Sequence, residues 1–201
     1  MRSIAITGGI GSGKSTVSQL LRQQGYPVFD CDAISKEVTA AGSPLLKCLA
    51  GVLGYDIIKE DGSMDRSLVA DIAFSDPDKY RQMTMLIQSA IRQRLLEQLR
   101  CKEQEGSSLV FTEVPLLYEA GWQSLFDEVW LVTAEEQLRI DRVRRRSGLS
   151  EEQIRARMAK QLSQEEKESL ADRILSNENG VEELSRQVEE ALSLIALNDQ
   201  Q

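Results

Sequence analysis

Histidine is absent from this 201-residue sequence, which removes the side chain whose ordinary pKa suits acid–base work near neutral pH. Any general base must therefore be a carboxylate or, exceptionally, a lysine, cysteine or tyrosine. Histidine-ligated metals are excluded as well, leaving oxygen-bound Mg²⁺ as the natural ion. Cysteine is scarce. Cys31, Cys48 and Cys101 are odd in number and widely spaced, with no C-x-x-C pair. Three free thiols in a reducing cytoplasm are expected rather than a disulfide framework or a zinc site. No apolar run approaches the roughly 20 residues that span a bilayer. After Arg2 only a few apolar residues precede the first glycines, which is not the layout of a signal peptide. Net positive charge is missing too: the formal charge is −8, which argues against general nucleic-acid binding. A chain this acidic must build any anion site from locally clustered cations and dipoles, not from its overall field. With 41% hydrophobic and 28% charged residues, the rest of the composition is that of an ordinary globular protein. The chain is expected in the cytoplasm, with no membrane and no nucleic acid as partner.

What is present begins with Gly8-Gly9-Ile10-Gly11-Ser12-Gly13-Lys14-Ser15-Thr16, which fills the pattern G-x-x-x-x-G-K-[ST]. The apolar run Ser3-Ile4-Ala5-Ile6-Thr7 before it reads as a buried strand, and Val17, Leu20 and Leu21 after it begin the stripe of a helix. Strand, glycine loop and helix N-terminus are the context that makes this motif a phosphate-binding loop. Successive N–H groups from Gly9, Ile10, Gly11, Ser12 and Gly13 onward can converge on one anion, reinforced by the unpaired N–H groups of the first helical turn. Lys14 reaches for the β- and γ-phosphates and the Ser15 hydroxyl for Mg²⁺, with Thr16 beside it. A dinucleotide loop would need G-x-G-x-x-G, and the third glycine position is occupied by Lys14, whose ammonium suits terminal phosphates. The expected ligand is a nucleoside triphosphate.

Further along, Tyr26-Pro27-Val28-Phe29 makes a second strand running into Asp30-Cys31-Asp32. A helix is expected over 33–41, with Asp32 as its N-cap or as a catalytic group. From Pro44 to about Glu105 the pattern is all-helical, broken at Gly54 and at Asp61-Gly62. Asp65 and Asp76-Pro77 mark helix starts. Leu86, Ile87, Ala90, Ile91, Leu95 and Leu99 form a core stripe at helical spacing. Strands follow over 109–112, 128–132 and 173–176. Thr133 with Glu136, Ser150 with Gln153, and Ser163 with Glu166 match capping boxes. An amphipathic helix closes the chain over 181–197. No internal repeat or low-complexity segment interrupts this order. Strands alternating with helices imply an α/β fold with a parallel sheet covered on both faces. Ligands in such sheets lie at the carboxyl ends of the strands, where the glycine loop, Asp30, Asp32 and Glu113 all fall.

Asp32 is a carboxylate placed to accept the proton of an attacking hydroxyl, and Asp30 shares that site or raises its neighbour's pKa. Glu113, at the end of an apolar strand, is placed to orient Mg²⁺ directly or through water. Arg139, Arg142, Arg144, Arg145 and Arg146 are the densest cationic run, and Arg139, Arg142 and Arg146 share one helical face. A solvated face or a nucleic-acid contact would explain them. The acidic background favours a lid whose guanidinium forks meet transferring phosphates.

Taken together, the glycine loop, Asp30-Cys31-Asp32, Pro115-Leu116-Leu117-Tyr118-Glu119, Gln161-Leu162, Glu165-Glu166-Lys167 and Ala171-Asp172 resemble the dephospho-CoA kinases. The resemblance runs from Ile4 to about Gly180. It implies a P-loop kinase fold with a five-stranded parallel sheet flanked by helices. The nucleotide-binding core would take 1–34 and 106–201, including a helical lid over 139–170, and a helical acceptor-binding insertion would take 35–105. By the same resemblance Asp32 is the general base, Lys14 the phosphate lysine, and Arg142 and Arg146 the lid arginines. ATP and Mg²⁺ are the implied cofactors and dephospho-CoA the acceptor, phosphorylated at its ribose 3′-hydroxyl. The chain departs from the family's pattern at Gln88-Ser89, where a His-Pro pair is common, and at Asn177-Glu178-Asn179-Gly180, one residue longer than the usual Asn-x-Gly. The residues by themselves reach a Mg²⁺-ATP-dependent small-molecule kinase. A nucleoside or nucleotide kinase is the alternative. A nucleotide-hydrolysing switch is disfavoured, since no N-K-x-D motif is present.

Overall fold

Short apolar runs, too brief for helices and bounded by turn residues, build a five-stranded sheet: β1 (Arg2–Thr7), β2 (Val28–Asp30), β3 (Leu109–Glu113), β4 (Glu128–Thr133) and β5 (Arg173–Ser176). Their order is β2-β3-β1-β4-β5, and β1 runs parallel to both β3 and β4, as β4 does to β5. Residues of β1 and β4 are buried almost throughout, the signature of strands covered on both faces. The computed structural model describes residues 1–198. It falls into two compact units, one of Met1–Phe29 with the chain from Gly106 onward, the other Asp30–Glu105.

In the first unit, α1 (Lys14–Gln23) and α9 (Val181–Asn198) pack on the sheet through a core that includes Ile4, Val17, Leu21, Phe111, Trp130, Leu184 and Val188. The register sets Ile6 beside both Glu113 and Trp130, and Thr133 beside Ser176. The loop that starts at Gly8, the Glu113 carboxylate and Asn177 therefore share the carboxyl edge of the sheet. The opposite edge is tied by Glu128, which is buried. Its carboxylate pairs with Arg2 Nη2 at 2.9 Å, accepts from Trp130 Nε1 at 2.7 Å, and meets Arg173 Nε at 3.4 Å. One acid thereby joins β1, β4 and β5.

After β4 come α6 (Glu136–Ser147), α7 (Glu151–Met158) and α8 (Gln164–Glu168). Ser150 and Ser163 form complete capping boxes with Gln153 and Glu166. The box expected at Thr133 does not form. Thr133 is the buried last residue of β4, and α6 starts later, with Glu135 at its N-cap and no side-chain cap.

The second unit holds α2 (Cys31–Val38), α3 (Pro44–Leu53), α4 (Arg66–Ser75) and the 28-residue α5 (Pro77–Gln104). Each starts with a side-chain cap, from Asp30, Ser43, Asp65 and Asp76 respectively. The cap of α2 is Asp30, not Asp32: its Oδ1 accepts from Asp32 N at 2.8 Å and Ala33 N at 3.2 Å. The helix begins at Cys31, directly after β2 and two residues earlier than expected. The expected break at Asp61-Gly62 is an Asx turn, with Asp61 Oδ1 accepting from Ser63 N at 2.9 Å. A single antiparallel bridge, Ile58 to Met64, interrupts the helical pattern there. Leu46, Leu49, Leu53, Ile57 and Val69 form a core of their own, lined by Leu86 and Ile87 of α5.

Leu49 is fully buried in that core. Leu49→Ala is expected to cost about 3 kcal/mol through lost burial and a residual cavity, whereas removing the α3 cap with Ser43→Ala should cost about 1 kcal/mol. Urea denaturation of the whole protein checks both. A smaller loss from Leu49→Ala than from Ser43→Ala would contradict this packing.

Candidate active site

Residues 8–13 carry the chain from β1 into α1. A turn closes on Ser12 N, which donates to Gly9 O at 3.1 Å. Gly13, with φ 106°, caps α1 without any side-chain hydrogen bond. The first N–H groups of α1 thus meet no side-chain oxygen at the cap, the arrangement that suits an anion. Lys14 Nζ folds back over the loop and donates to Gly8 O at 2.8 Å and Gly9 O at 3.2 Å. Ser12 is buried, Thr16 partly buried and Ser15 exposed.

Two close approaches show what glycine makes room for here. A Cβ on Gly9 would lie 2.0 Å from Arg139 Nη1, and one on Gly13 would lie 2.0 Å from Asn177 Nδ2. Both separations are far inside van der Waals contact, so any other residue would push a polar side chain off the loop. The loop is clasped by side chains from α6 and from the segment after β5. Arg142 Nη2 donates to Asn177 O at 2.9 Å and Nη1 approaches Ser12 O at 3.5 Å. Asn177 Nδ2 donates to the same Ser12 carbonyl at 2.8 Å. Arg139 is half-buried beside Gly9, and burial lowers its pKa against the opposing pull of Glu136 and Glu165. Its Nε is buried without a hydrogen-bond partner.

The tip of the loop is held from the same side by apolar contact. Ile10 packs against Ile140 and Val143 of α6 and Ile154 of α7, while Ile10 N donates to Gln161 Oε1 at 3.0 Å. The neighbouring Leu162 N donates to Glu119 Oε1 at 3.0 Å, and Lys167 Nζ, almost wholly buried, pairs with that same oxygen at 2.9 Å. Burial raises the Glu119 carboxyl pKa, but the Lys167 ammonium and the Leu162 N–H more than offset it and hold it below the usual range. Beside it, burial and the Asp172 carboxylate push the Tyr118 phenol up to about 12. The Pro-Leu-Leu-Tyr-Glu turn and the Gln161–Lys167 stretch are thereby wired to each other and to the loop.

Glu113 accepts from Ser18 Oγ at 2.7 Å. Ser18 is one turn beyond Lys14 on α1, so the carboxylate at the end of β3 is fixed to the loop's own helix. Ser15 and Glu113 supply oxygen donors of the type Mg²⁺ takes, and this ion commonly uses one or two protein oxygens together with substrate phosphates. Among the described residues no group of three or more His, Cys, Asp or Glu side chains could hold a metal.

The expected site residues divide as follows. The loop residues Gly9, Ile10, Gly11, Ser12, Gly13, Lys14, Ser15 and Thr16, with Glu113 and Arg142, gather at one edge of the first unit. Arg146 lies one turn beyond Arg142, exposed on the last turn of α6, and is not brought to the loop. Asp32 lies exposed on the first turn of α2 in the second unit. The contacts of Asn177, Gln161, Ser18 and Glu119 were not anticipated. Arg139 shares the helical face of Arg142, but only the packing of Ile140 and Val143 decides which turn of α6 touches the loop. A cavity of about 870 Å³, lined in part by Glu136, Arg139, Arg155, Gln161 and Glu178, opens beside it, within the size range of small-molecule sites. No helix of the described residues is long and apolar enough to cross a membrane.

Comparison with known proteins agrees with this geometry. The family model described as Dephospho-CoA kinase matches residues 2–183. A dephospho-CoA kinase of Symbiobacterium thermophilum is 40% identical over 95% of this chain and 80% of its own length. The crystal structure of TT1252 from Thermus thermophilus is 38% identical, with a TM-score of 0.82 and 96% of each chain covered. A solved dephospho-CoA kinase from Campylobacter jejuni, 23% identical, shares the fold with a TM-score of 0.75, covering 99% of this chain and 100% of its own. With nearly its whole length matched by the family model, the chain belongs to the dephospho-CoA kinase family.

Proposed function

We propose that this protein transfers the γ-phosphate of ATP to the ribose 3′-hydroxyl of dephospho-CoA, giving CoA and ADP, the last step of CoA biosynthesis. The observation that carries this reading is the clasped glycine loop, with Lys14 and Arg142 directed onto it, in a chain whose family match spans residues 2–183. The loop N–H groups and Lys14 bind the terminal phosphates, and α6, α7 and α8 act as the lid that excludes water from them. Arg142 meets the charge that develops on the transferring group. Ser15 and Glu113 would hold Mg²⁺, Glu113 directly or through water. The ion neutralises phosphate charge when bound.

Phosphoryl transfer forms one bond, from the 3′-oxygen to the γ-phosphorus, and breaks the bond from that phosphorus to the β–γ bridging oxygen. The hydroxyl proton passes to Asp32 and the leaving oxygen departs on ADP. Support for Asp32 comes from its neighbour: Asp30 caps α2, so the helix does not depend on the Asp32 carboxylate. The helical unit 35–105 holds the acceptor. Both substrates are small molecules, and the reaction takes place in the cytoplasm.

ATP turnover measured with and without dephospho-CoA tests the function. The expected result is stoichiometric ADP and CoA formation that depends on the acceptor. Faster turnover with a nucleoside or nucleotide would replace the acceptor, and turnover indifferent to every acceptor would make the protein a hydrolase.

Asp32→Asn keeps shape and size but cannot take the proton. It should slow single-turnover transfer by about 100-fold or more while changing ATP affinity by less than about threefold. Normal turnover in this variant would reduce Asp32 to a surface residue and shift attention to Asp30.

A further inference from the structure

Asn177 directly follows β5, and its backbone N–H donates to Thr133 O at 2.9 Å, extending the β4–β5 ladder by one residue. Its Cα is thus fixed by the sheet. The side chain is 5% exposed and reaches across to the glycine loop, where Nδ2 donates to Ser12 O at 2.8 Å. It lies so close to Gly13 that a Cβ there would be 2.0 Å away. On its other side the same residue receives Arg142: Nη2 donates to Asn177 O at 2.9 Å and approaches Oδ1 at 3.4 Å.

The chemistry of an amide explains the choice of residue. It presents a donor to the Ser12 carbonyl and an acceptor to the guanidinium at once. A carboxylate of the same shape would set an acceptor against the Ser12 carbonyl, and an aliphatic side chain would leave that carbonyl with only the 3.5 Å approach of Arg142 and take the Oδ1 contact from the guanidinium. Without the Asn177 amide, Arg142 keeps its 2.9 Å bond to the backbone carbonyl of residue 177 and its 3.5 Å approach to Ser12 O, but the Ser12 carbonyl loses its 2.8 Å donor and the guanidinium its Oδ1 contact, so the loop is no longer tied to the point that anchors Arg142.

We infer that Asn177 is a positioning residue for phosphoryl transfer, locking Arg142 to the Ser12 carbonyl so that loop and guanidinium present one fixed face to the transferring phosphate. Asn177 acts through Arg142, so its contribution appears in the chemical step more than in the capture of ATP. The inference rests on the phosphotransfer reading above.

A double-mutant cycle over Asn177→Ala and Arg142→Ala tests it, with kcat and the KM for ATP measured for all four proteins. Asn177→Ala should lower kcat by about 30-fold, since small misplacements of a catalytic group carry large rate penalties, and change the KM for ATP by less than about threefold. The double variant should be no slower than Arg142→Ala alone, because a group already removed cannot be misplaced. Losses that multiply, or normal turnover of Asn177→Ala, would overturn the proposal. A merely structural role would lower the thermal midpoint without producing coupling to Arg142. Should the alanine variant not fold, Asn177→Ser enters the same cycle with the same expectation, its hydroxyl being too short to span both partners. Wild-type turnover with dephospho-CoA reports on the acceptor separately. Basal ATP hydrolysis by the four proteins carries the cycle even if another acceptor proves correct.

Discussion

The approach of Arg139 and Asn177 to within side-chain contact of Gly9 and Gly13 is the constraint on which the site depends. A backbone can turn a row of N–H groups toward one anion only if its carbonyls are accommodated elsewhere. In this loop the Ser12 carbonyl is taken by Asn177 and Arg142, and the Gly8 and Gly9 carbonyls by Lys14. Asn177 takes room that a Cβ on Gly13 would fill, and Arg139 room that a Cβ on Gly9 would fill. The glycines therefore serve as contact surfaces as well as flexible joints. The sheet completes the arrangement, because its parallel register sets the starts of the loop and of the Asn177 segment at one edge.

Electrostatics follow from the same packing. The chain carries a formal charge of −8, so its overall field repels a triphosphate, and binding must come from charges within a few ångströms. Burial concentrates them. Arg139 is half-buried against the loop, while Arg144 spends its charge on Asp141 at the surface and Arg155 on Glu136 and Glu151. Of five arginines within eight residues of α6, two are aimed at the loop. The Glu119–Lys167 pair adds mechanical linkage. A buried ammonium whose partner is lost is strongly destabilising, so the turn after β3 and α8 are held as one piece. Gln161 then passes that constraint to the Ile10 N–H.

Much of this was legible in the residues themselves, wherever the signal was local. The P-loop declares itself through the strand before it and the helix after it. All five strands are recognisable as short apolar runs, and Ser150 with Gln153 and Ser163 with Glu166 announce their helices by side-chain chemistry confined to four residues. Local signals mislead where tertiary packing decides. Thr133 has the chemistry of a cap but is buried at a strand end, and Asp30 caps α2 in place of Asp32 because the helix begins at Cys31, directly after β2. Asn177 and Ser12 are 165 residues apart, and nothing in the spacing of either hints at their hydrogen bond. The helical face shared by Arg139, Arg142 and Arg146 is equally silent on which turn faces the loop, a choice made by Ile140, Val143 and Ile10.

A glycine loop fixed by these contacts should take its nucleotide through the terminal phosphates. Calorimetric titration of the protein with ATP and with AMP, both in the presence of Mg²⁺, measures that most directly. AMP should bind at least about 100-fold more weakly than ATP, a difference of about 2.7 kcal/mol, because it lacks the β- and γ-phosphates proposed to meet the loop N–H groups, Lys14 and Arg142. Equal affinity for the two nucleotides would contradict it and place recognition in the base and sugar alone.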